Sequence, residues 1–421
     1  MSDLTRRKLM ANGLALGCSI AASPLVTPVA LAASDTNALG DNRLVVIILR
    51  GGMDGLGVVQ PWGDRDFLAF RGGKGARPGD ARGPVPLDGF FALHQALGRL
   101  MPLWTAGELG FVNAVSTPYR NKRSHFDGQD LLEAGVSDGS AIRDGWLNRM
   151  LQSVPGLQSE TAYTIGASGM LLTRGMAQVS EWSPRSVLAM SPQARRLMEH
   201  VMHDDPLFRD VLGRAFTLSA VGEGAAMMRS GGVNGMGDEM LTGMAAVRQG
   251  AQMAKDNAGA VHVARFAADR LRADTRIAAF SINGWDTHAR QEAALRAPLE
   301  ELAEMILTLR DGLGPIWAKT GVVAMTEFGR TVQINGTGGT DHGTGGTMIF
   351  TGGALRGGKI YGDWPGLAEQ ALYQRRDLMP TADVRAHAAW IMHGLFGLPR
   401  ETLERAVFPG LRMENDPGLV G

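Results

Sequence analysis

The sequence predicts an α/β fold in which a mostly parallel central sheet is flanked by helices, with a helical insertion. Three observations carry that expectation. Leu44-Val45-Val46-Ile47-Ile48-Leu49 is a continuous apolar run that stops at Arg50-Gly51-Gly52, the pattern of a strand buried on both faces. Leu295, Leu299, Leu302, Ile306 and Leu309 recur at three- and four-residue steps, which marks one buried face of a helix over residues 291–313. That helix lies between two further strand candidates, residues 276–282 and 321–325, and strand, crossover helix, strand is the signature of a parallel sheet.

The N-terminus reads as an address rather than as part of that fold. Thr5-Arg6-Arg7-Lys8-Leu9-Met10 opens a stretch, residues 9–34, that carries no charged side chain and offers Ala30-Leu31-Ala32 to a signal peptidase. This is the pattern of a twin-arginine export signal. Residues 1–32 are therefore expected to be removed after passage through the twin-arginine translocase, leaving a periplasmic or otherwise exported product. Gly13, Gly17, Pro24 and Pro28 keep the stretch weakly apolar and interrupt any long helix, so no stable membrane insertion is expected after cleavage. Cys18, the only cysteine, lies inside the signal, which leaves the mature chain no thiol for catalysis, disulfide or metal.

The α/β domain is expected over residues 41–421, and the 57 glycines of the chain point to many tight loops. Residues 110–115 and 347–350 are further strand candidates, each flanked by glycine or polar loop residues. Residues 191–274, rich in Ala, Met, Gly and Arg, read as the helical insertion; Met236, Met240 and Met244 at four-residue steps fit flexible core filling. Lys+Arg and Asp+Glu balance at 42 each, which leaves no cationic surplus for a phosphate backbone, so nucleic acid is not an expected partner.

In parallel sheets ligands bind at the carboxyl ends of the strands, and four motifs follow an apolar strand or lie in a glycine-rich turn. They are Arg50-Gly51-Gly52-Met53-Asp54-Gly55, Trp285-Asp286-Thr287-His288, Thr326-Glu327-Phe328-Gly329-Arg330 and Gly339-Thr340-Asp341-His342-Gly343. Each alone has an ordinary structural reading: Asp54 beside glycine is a common turn, and Asp286 suits a helix cap. Together they offer carboxylate oxygens and imidazole nitrogens suited to one or two divalent ions, Zn²⁺, Mn²⁺ or Mg²⁺. Ser124, in Arg123-Ser124-His125-Phe126-Asp127, stands between a strand and a helix. Unpaired N–H groups there favour an oxyanion, and serine is equally a common cap.

These residues resemble a known family. Gly51-Gly52-Met53-Asp54-Gly55-Leu56, Arg123-Ser124-His125-Phe126, Asn283-Gly284-Trp285-Asp286-Thr287-His288, Thr326-Glu327-Phe328-Gly329-Arg330-Thr331 and Thr340-Asp341-His342-Gly343-Thr344-Gly345-Gly346 are similar to the family called domain of unknown function 1501, over most of residues 43–410. That family in turn resembles the alkaline phosphatase and sulfatase superfamily, which implies one or two metals at the carboxyl edge of the sheet and an anionic ester as substrate. The resemblance implies Asp54 as the first-strand metal ligand, Ser124 as nucleophile, Asp286 and His288 as a metal pair, and Glu327 as the ligand after the next strand, with Phe328 in place of an imidazole. Asp341-His342 supplies the later histidine. One ion would have Asp286, His288 and His342, and a second would have Asp54, Ser124 and Glu327.

The activity implied is metal-dependent hydrolysis of phosphate or sulfate esters, with Arg123 or Arg330 on the non-bridging oxygens and His125 as general base. The alternative is an exported binding or envelope-assembly protein that keeps the fold without the chemistry, for which the missing imidazole at Phe328 argues. Ser116-Thr117-Pro118-Tyr119-Arg120 also matches the pattern in which sulfatases convert serine or cysteine to formylglycine, although Ser116 stands further from the helix start than Ser124.

Overall fold

The run from Arg43 to Leu49 is buried along its whole length, and its alternation explains why no polar residue interrupts it. Val45, Ile47 and Leu49 join one hydrophobic cluster, whereas Leu44, Val46 and Ile48 join another. A strand with two apolar faces belongs inside a sheet covered on both sides. The computed structural model, which describes residues 38–72, 76–138, 143–166, 170–182 and 259–421, places it there.

Nine strands form the sheet: β1 (Arg43–Leu49), β2 (Leu109–Ser116), β3 (Ala162–Ile165), β4 (Ser180–Trp182), β5 (Ile277–Ile282), β6 (Thr320–Thr326), β7 (Gly346–Thr351), β8 (Ile360–Tyr361) and β9 (Ala382–Asp383). Their order is β8-β2-β7-β6-β1-β5-β3-β4, with β9 paired to β2. β1 is parallel to both neighbours, Leu44 lying beside Ile277 and Gly321, and Leu49 beside Ile282 and Thr326. Among the described strands of this sheet, β7 alone runs backwards, antiparallel to both β6 and β2. The sheet is therefore mostly parallel, and the α/β class holds.

Four helices matter for the site: α1 (His125–Ala134), α2 (Trp146–Gln152), α3 (Arg296–Leu313) and α4 (Val384–Phe396). α3 buries Leu299, Leu302, Ile306 and Leu309 in the cluster that holds the odd-numbered side chains of β1. α2 and α4 supply Trp146, Leu147, Ile391 and Met392 to the other. Each fully buried aliphatic side chain contributes about 1.5–3 kcal/mol of transfer free energy, so both faces of the sheet are held.

The sequence predicts one helix over 291–313; the structure has two pieces, Gln291–Ala294 and α3. Pro298 accounts for the break. It has no N–H to give the Ala294 carbonyl, and its ring crowds that oxygen. β3, β4 and a small side sheet of Val59–Gln60, Ala92–Leu93 and Val85–Pro86 are absent from the sequence reading, because such short strands give alternation no room to register. Of the expected insertion, residues 191–258 lie outside the described residues and 259–272 are helical. The segment 1–32 with Cys18, and Met236, Met240 and Met244, also lie outside them. Among the described residues no helix is long and apolar enough to cross a membrane.

Beyond β1 the chain leaves through Gly51, whose φ of 125° is one that side chains avoid. A Cβ at this position would come within 2.5 Å of the Asp286 nitrogen, so the glycine allows the exit of β1 to lie against the exit of β5. Gly51→Ala is expected to destabilise the fold by about 1–3 kcal/mol and to lower the urea midpoint. An unchanged midpoint would mean that the two exits do not need this close approach.

Candidate functional site

Strand direction brings the chemistry to one edge. β1, β2, β5 and β6 run the same way, so Gly51-Gly52, the loop 117–124, the Asp286 segment and Glu327 all emerge together. β7 runs the other way, so it is the residues preceding it, Asp341 and His342, that reach this edge.

The centre is the Asp286 carboxylate. Its Oδ1 lies 2.8 Å from Arg330 Nη2, 3.0 Å from His288 Nε2, 3.2 Å from His342 Nε2 and 3.4 Å from His125 Nε2. Each imidazole has an oxygen near its other nitrogen. His125 Nδ1 is 2.8 Å from Glu327 Oε1, His342 Nδ1 is 2.9 Å from the Arg123 carbonyl, and His288 Nδ1 is 3.4 Å from Asp341 Oδ1.

Each ring nitrogen of the three thus has an oxygen nearby, Asp286 Oδ1 at Nε2 and another at Nδ1, and a proton on Nδ1 leaves a lone pair on Nε2. His288 Nε2 and His342 Nε2 also face each other at 3.0 Å. His125 Nε2 is buried without a hydrogen-bond partner. Converging lone pairs beside a carboxylate suit a cation. Two nitrogens on one tetrahedral Zn²⁺ stand roughly 3.3 Å apart, given Zn–N bonds of about 2.0–2.1 Å, close to the 3.0 Å between His288 Nε2 and His342 Nε2. Ligand atoms of His125, Asp286 and His342 all lie within 4.8 Å of one another; His288 adjoins Asp286 and His342 without belonging to that mutually close set.

Burial pushes the Asp286 carboxyl up, but the Arg330 guanidinium and the imidazoles outweigh it and hold the group below the usual carboxylate range. Burial likewise opposes ionisation of Glu327, and hydrogen bonds from His125, Gln129 and the Gly51 N–H reverse the balance. The Glu327 hydrogen bond raises His125 above an ordinary histidine, whereas burial lowers His342.

Asp286, His288 and His342, which the sequence groups around one ion, do meet. Asp54, Ser124 and Glu327, grouped around a second, are spread over different tasks. Glu327 stands behind His125, its Oε1 also accepting from the Gly51 N–H at 2.9 Å and from Gln129 Nε2 at 3.1 Å. Asp54 is buried, and its carboxylate is taken by Arg71 and Gln291. Gln291 Oε1 accepts from Thr287 Oγ1 at 2.9 Å and Thr340 Oγ1 at 2.6 Å, which ties the loop of Asp286 and His288 to the loop of Asp341 and His342. Asp341 also accepts from Asn335 Nδ2 at 3.0 Å.

Ser124 caps α1, its Oγ accepting from the Asp127 N–H at 3.4 Å. It sits between Arg123, whose carbonyl holds His342, and His125. Arg123 is exposed, and the Arg330 side chain is 0% exposed. Phe328 stacks on His125 at 5.1 Å and lies tilted against His342 at 5.0 Å.

Sequence reasoning misses Arg71, Gln129 and Gln291, and gives His125 a role in proton transfer rather than a place among the converging nitrogens. One signal was present: His125 and Gln129 are four residues apart on a helix and so share a face. Nothing in the sequence marks Arg71 as the partner of Asp54.

The family described as Protein of unknown function (DUF1501) matches residues 104–389 of this chain. The chain belongs to that family. The matched span holds Ser124, His125, Asp286, His288, Glu327 and His342, and it leaves out β1 and Asp54. No curated protein matches the sequence. Similar solved structures include the lipoteichoic acid synthase LtaP from Listeria monocytogenes, at 9% identity over 90% of this chain and 79% of that one, with a TM-score of 0.36. The alkaline phosphatase from the Antarctic bacterium TAB5 is 11% identical over 76% of this chain and 94% of its own, with a TM-score of 0.33. The C-terminal periplasmic domain of EcEptC from Escherichia coli, in complex with Zn, is 9% identical over 76% of each chain, with a TM-score of 0.31.

In the metal-free DUF1501 protein, Glu327→Gln is expected to lower the pKa of His125, because the hydrogen-bonded carboxylate is the largest cause of its elevation. NMR titration of the His125 ring checks this, and an unmoved titration midpoint would mean that Glu327 does not control this imidazole.

Proposed function

We propose that this chain is an exported, metal-dependent hydrolase of phosphate or sulfate esters with Ser124 as its nucleophile. The supporting observation is the convergence of three imidazole Nε2 atoms on Asp286, each with an oxygen at its Nδ1, beside the serine that opens α1. His125, Asp286 and His342 would hold the ion, with His288 adjoining them. An imidazole-rich donor set favours Zn²⁺ or Mn²⁺ over Mg²⁺, which prefers oxygen. When bound, a divalent ion supplies Lewis-acid polarisation of an ester oxygen and eases ionisation of a nearby hydroxyl.

The Ser124 hydroxyl gives up its proton and its oxygen bonds to phosphorus or sulfur, while the ester bond breaks in line and the alcohol leaves with a proton. Water then cleaves the serine ester, restoring the hydroxyl and releasing phosphate or sulfate. Arg123 is the exposed cation that can hold the non-bridging oxygens. Arg330 is buried against Asp286 and orients that carboxylate instead. Glu327 and Asp341 orient His125 and His288.

A second reading, an exported binding or envelope-assembly protein without chemistry, is favoured by two observations. Ser124 Oγ is engaged as a helix cap, and Asp54 is closed off by Arg71. Asp286→Ala and His342→Ala are each expected to lose bound metal by elemental analysis and to lose ester turnover, whereas Ser124→Ala keeps the metal and loses turnover. Normal activity in either of the first two variants removes this centre. Metal-loaded protein inert towards phosphate monoesters, phosphate diesters and sulfate esters supports the second reading.

Residues 1–32 are proposed as the twin-arginine signal and 191–274 as a helical insertion in the domain 41–421. The double change Arg6→Lys with Arg7→Lys is expected to leave uncleaved protein in the cytoplasm on cell fractionation. Undiminished export would sink the signal assignment.

A further inference from the structure

We propose a second ligand site, for a carboxylate monoanion with an apolar body, in the cleft between the segment leaving β2, the start of α4 and the C-terminal residues. The cavity measures about 670 Å³, and none of the residues around Asp286 lines it. That volume lies in the range of small-molecule sites, roughly 300–1,000 Å³.

Two independent observations point to an anion. Ser116 is 7% exposed, and its hydroxyl is buried with no hydrogen-bond partner among the described residues. Arg120 lines the same cavity and is half-buried. Among the described residues its guanidinium is seen donating only to the carbonyls of Thr117 and Tyr119, and it forms an ion pair with no carboxylate. A cation partly drawn out of water, with Asp383 acting on it only from beyond ion-pair reach, and a hydroxyl without a partner are each costly. An oxyanion in the cleft supplies Arg120 with a counter-ion, and a turn of the Ser116 side chain towards the cleft lets its hydroxyl donate to the same group.

The other groups facing the cleft set its charge. Arg385 pairs with Asp383 at 2.7 Å, and Arg412 and Glu414 stand exposed at the rim. Three arginines against two carboxylates leave one positive charge, which suits a monoanion. Burial keeps His387 below an ordinary histidine and so neutral near pH 7. Pro118, Pro380, Trp390 and Met413 supply apolar wall for the body of the ligand.

Benzoate and benzamide, which share a shape and differ in charge, are titrated calorimetrically onto metal-loaded full-length protein. Benzoate is expected to bind saturably and benzamide not to bind. Arg120→Gln is expected to weaken benzoate at least about ten-fold, as loss of a charge-assisted contact does, and Ser116→Ala several-fold, while Asp286→Ala leaves the affinity unchanged. That last arm separates this cleft from the ion cluster, so the inference stands or falls independently of the proposed hydrolysis. Equal binding of both probes, no benzoate binding at millimolar concentration, wild-type affinity in both cleft variants, or loss of benzoate in Asp286→Ala would each overturn it. An acetylated dipeptide with a free C-terminus, run in parallel, distinguishes the two sources of a carboxylate. Tighter binding of benzoate assigns the cleft to small free acids, and tighter binding of the dipeptide assigns it to chain ends.

Discussion

Two imidazole nitrogens that face each other 3.0 Å apart, at His288 and His342, set the terms for the whole sheet edge. Each ring also has an oxygen behind its Nδ1, so a proton placed there turns both Nε2 lone pairs to the gap. In that tautomer, positive charge placed before them relieves the repulsion between the lone pairs. Asp286 stands within reach of both and of His125, and Arg330 behind it keeps the carboxylate ionised against its partial burial.

The sheet makes this convergence possible through one reversal. Were every strand parallel, the segment leading into β7 would lie at the far edge and His342 would be remote from Asp286. Because β7 runs antiparallel between β2 and β6, a loop entering a strand meets segments leaving four others. The loops also pack backbone against backbone. A Cβ on Gly339 would collide with the His288 carbonyl group, so a residue without a side chain is what lets the His342 loop rest on the His288 loop.

The sequence makes some of this legible and hides the rest for identifiable reasons. β1, β5, β6 and α3 announce themselves because burial on both faces, or on one helical stripe, forces an apolar pattern. The break before α3 was also readable, since Pro298 cannot support the turn behind it. Asp286, His288 and His342 can be grouped from the sequence because their segments flank apolar strands at one edge. The fates of Asp54 and Glu327 cannot, because a carboxylate behaves the same in a sequence whether it meets a metal, an arginine or a histidine. Arg71 claims Asp54 and His125 claims Glu327 only after the chain has folded.

Gln291 deserves a last physical reading, since it grips Thr287 and Thr340 with one oxygen and Asp54 with its nitrogen. Its hydrogen bonds tie the two histidine-bearing loops to each other and to Asp54. Loops tied together in this way would lose less conformational entropy on holding any ligand between them than free loops would.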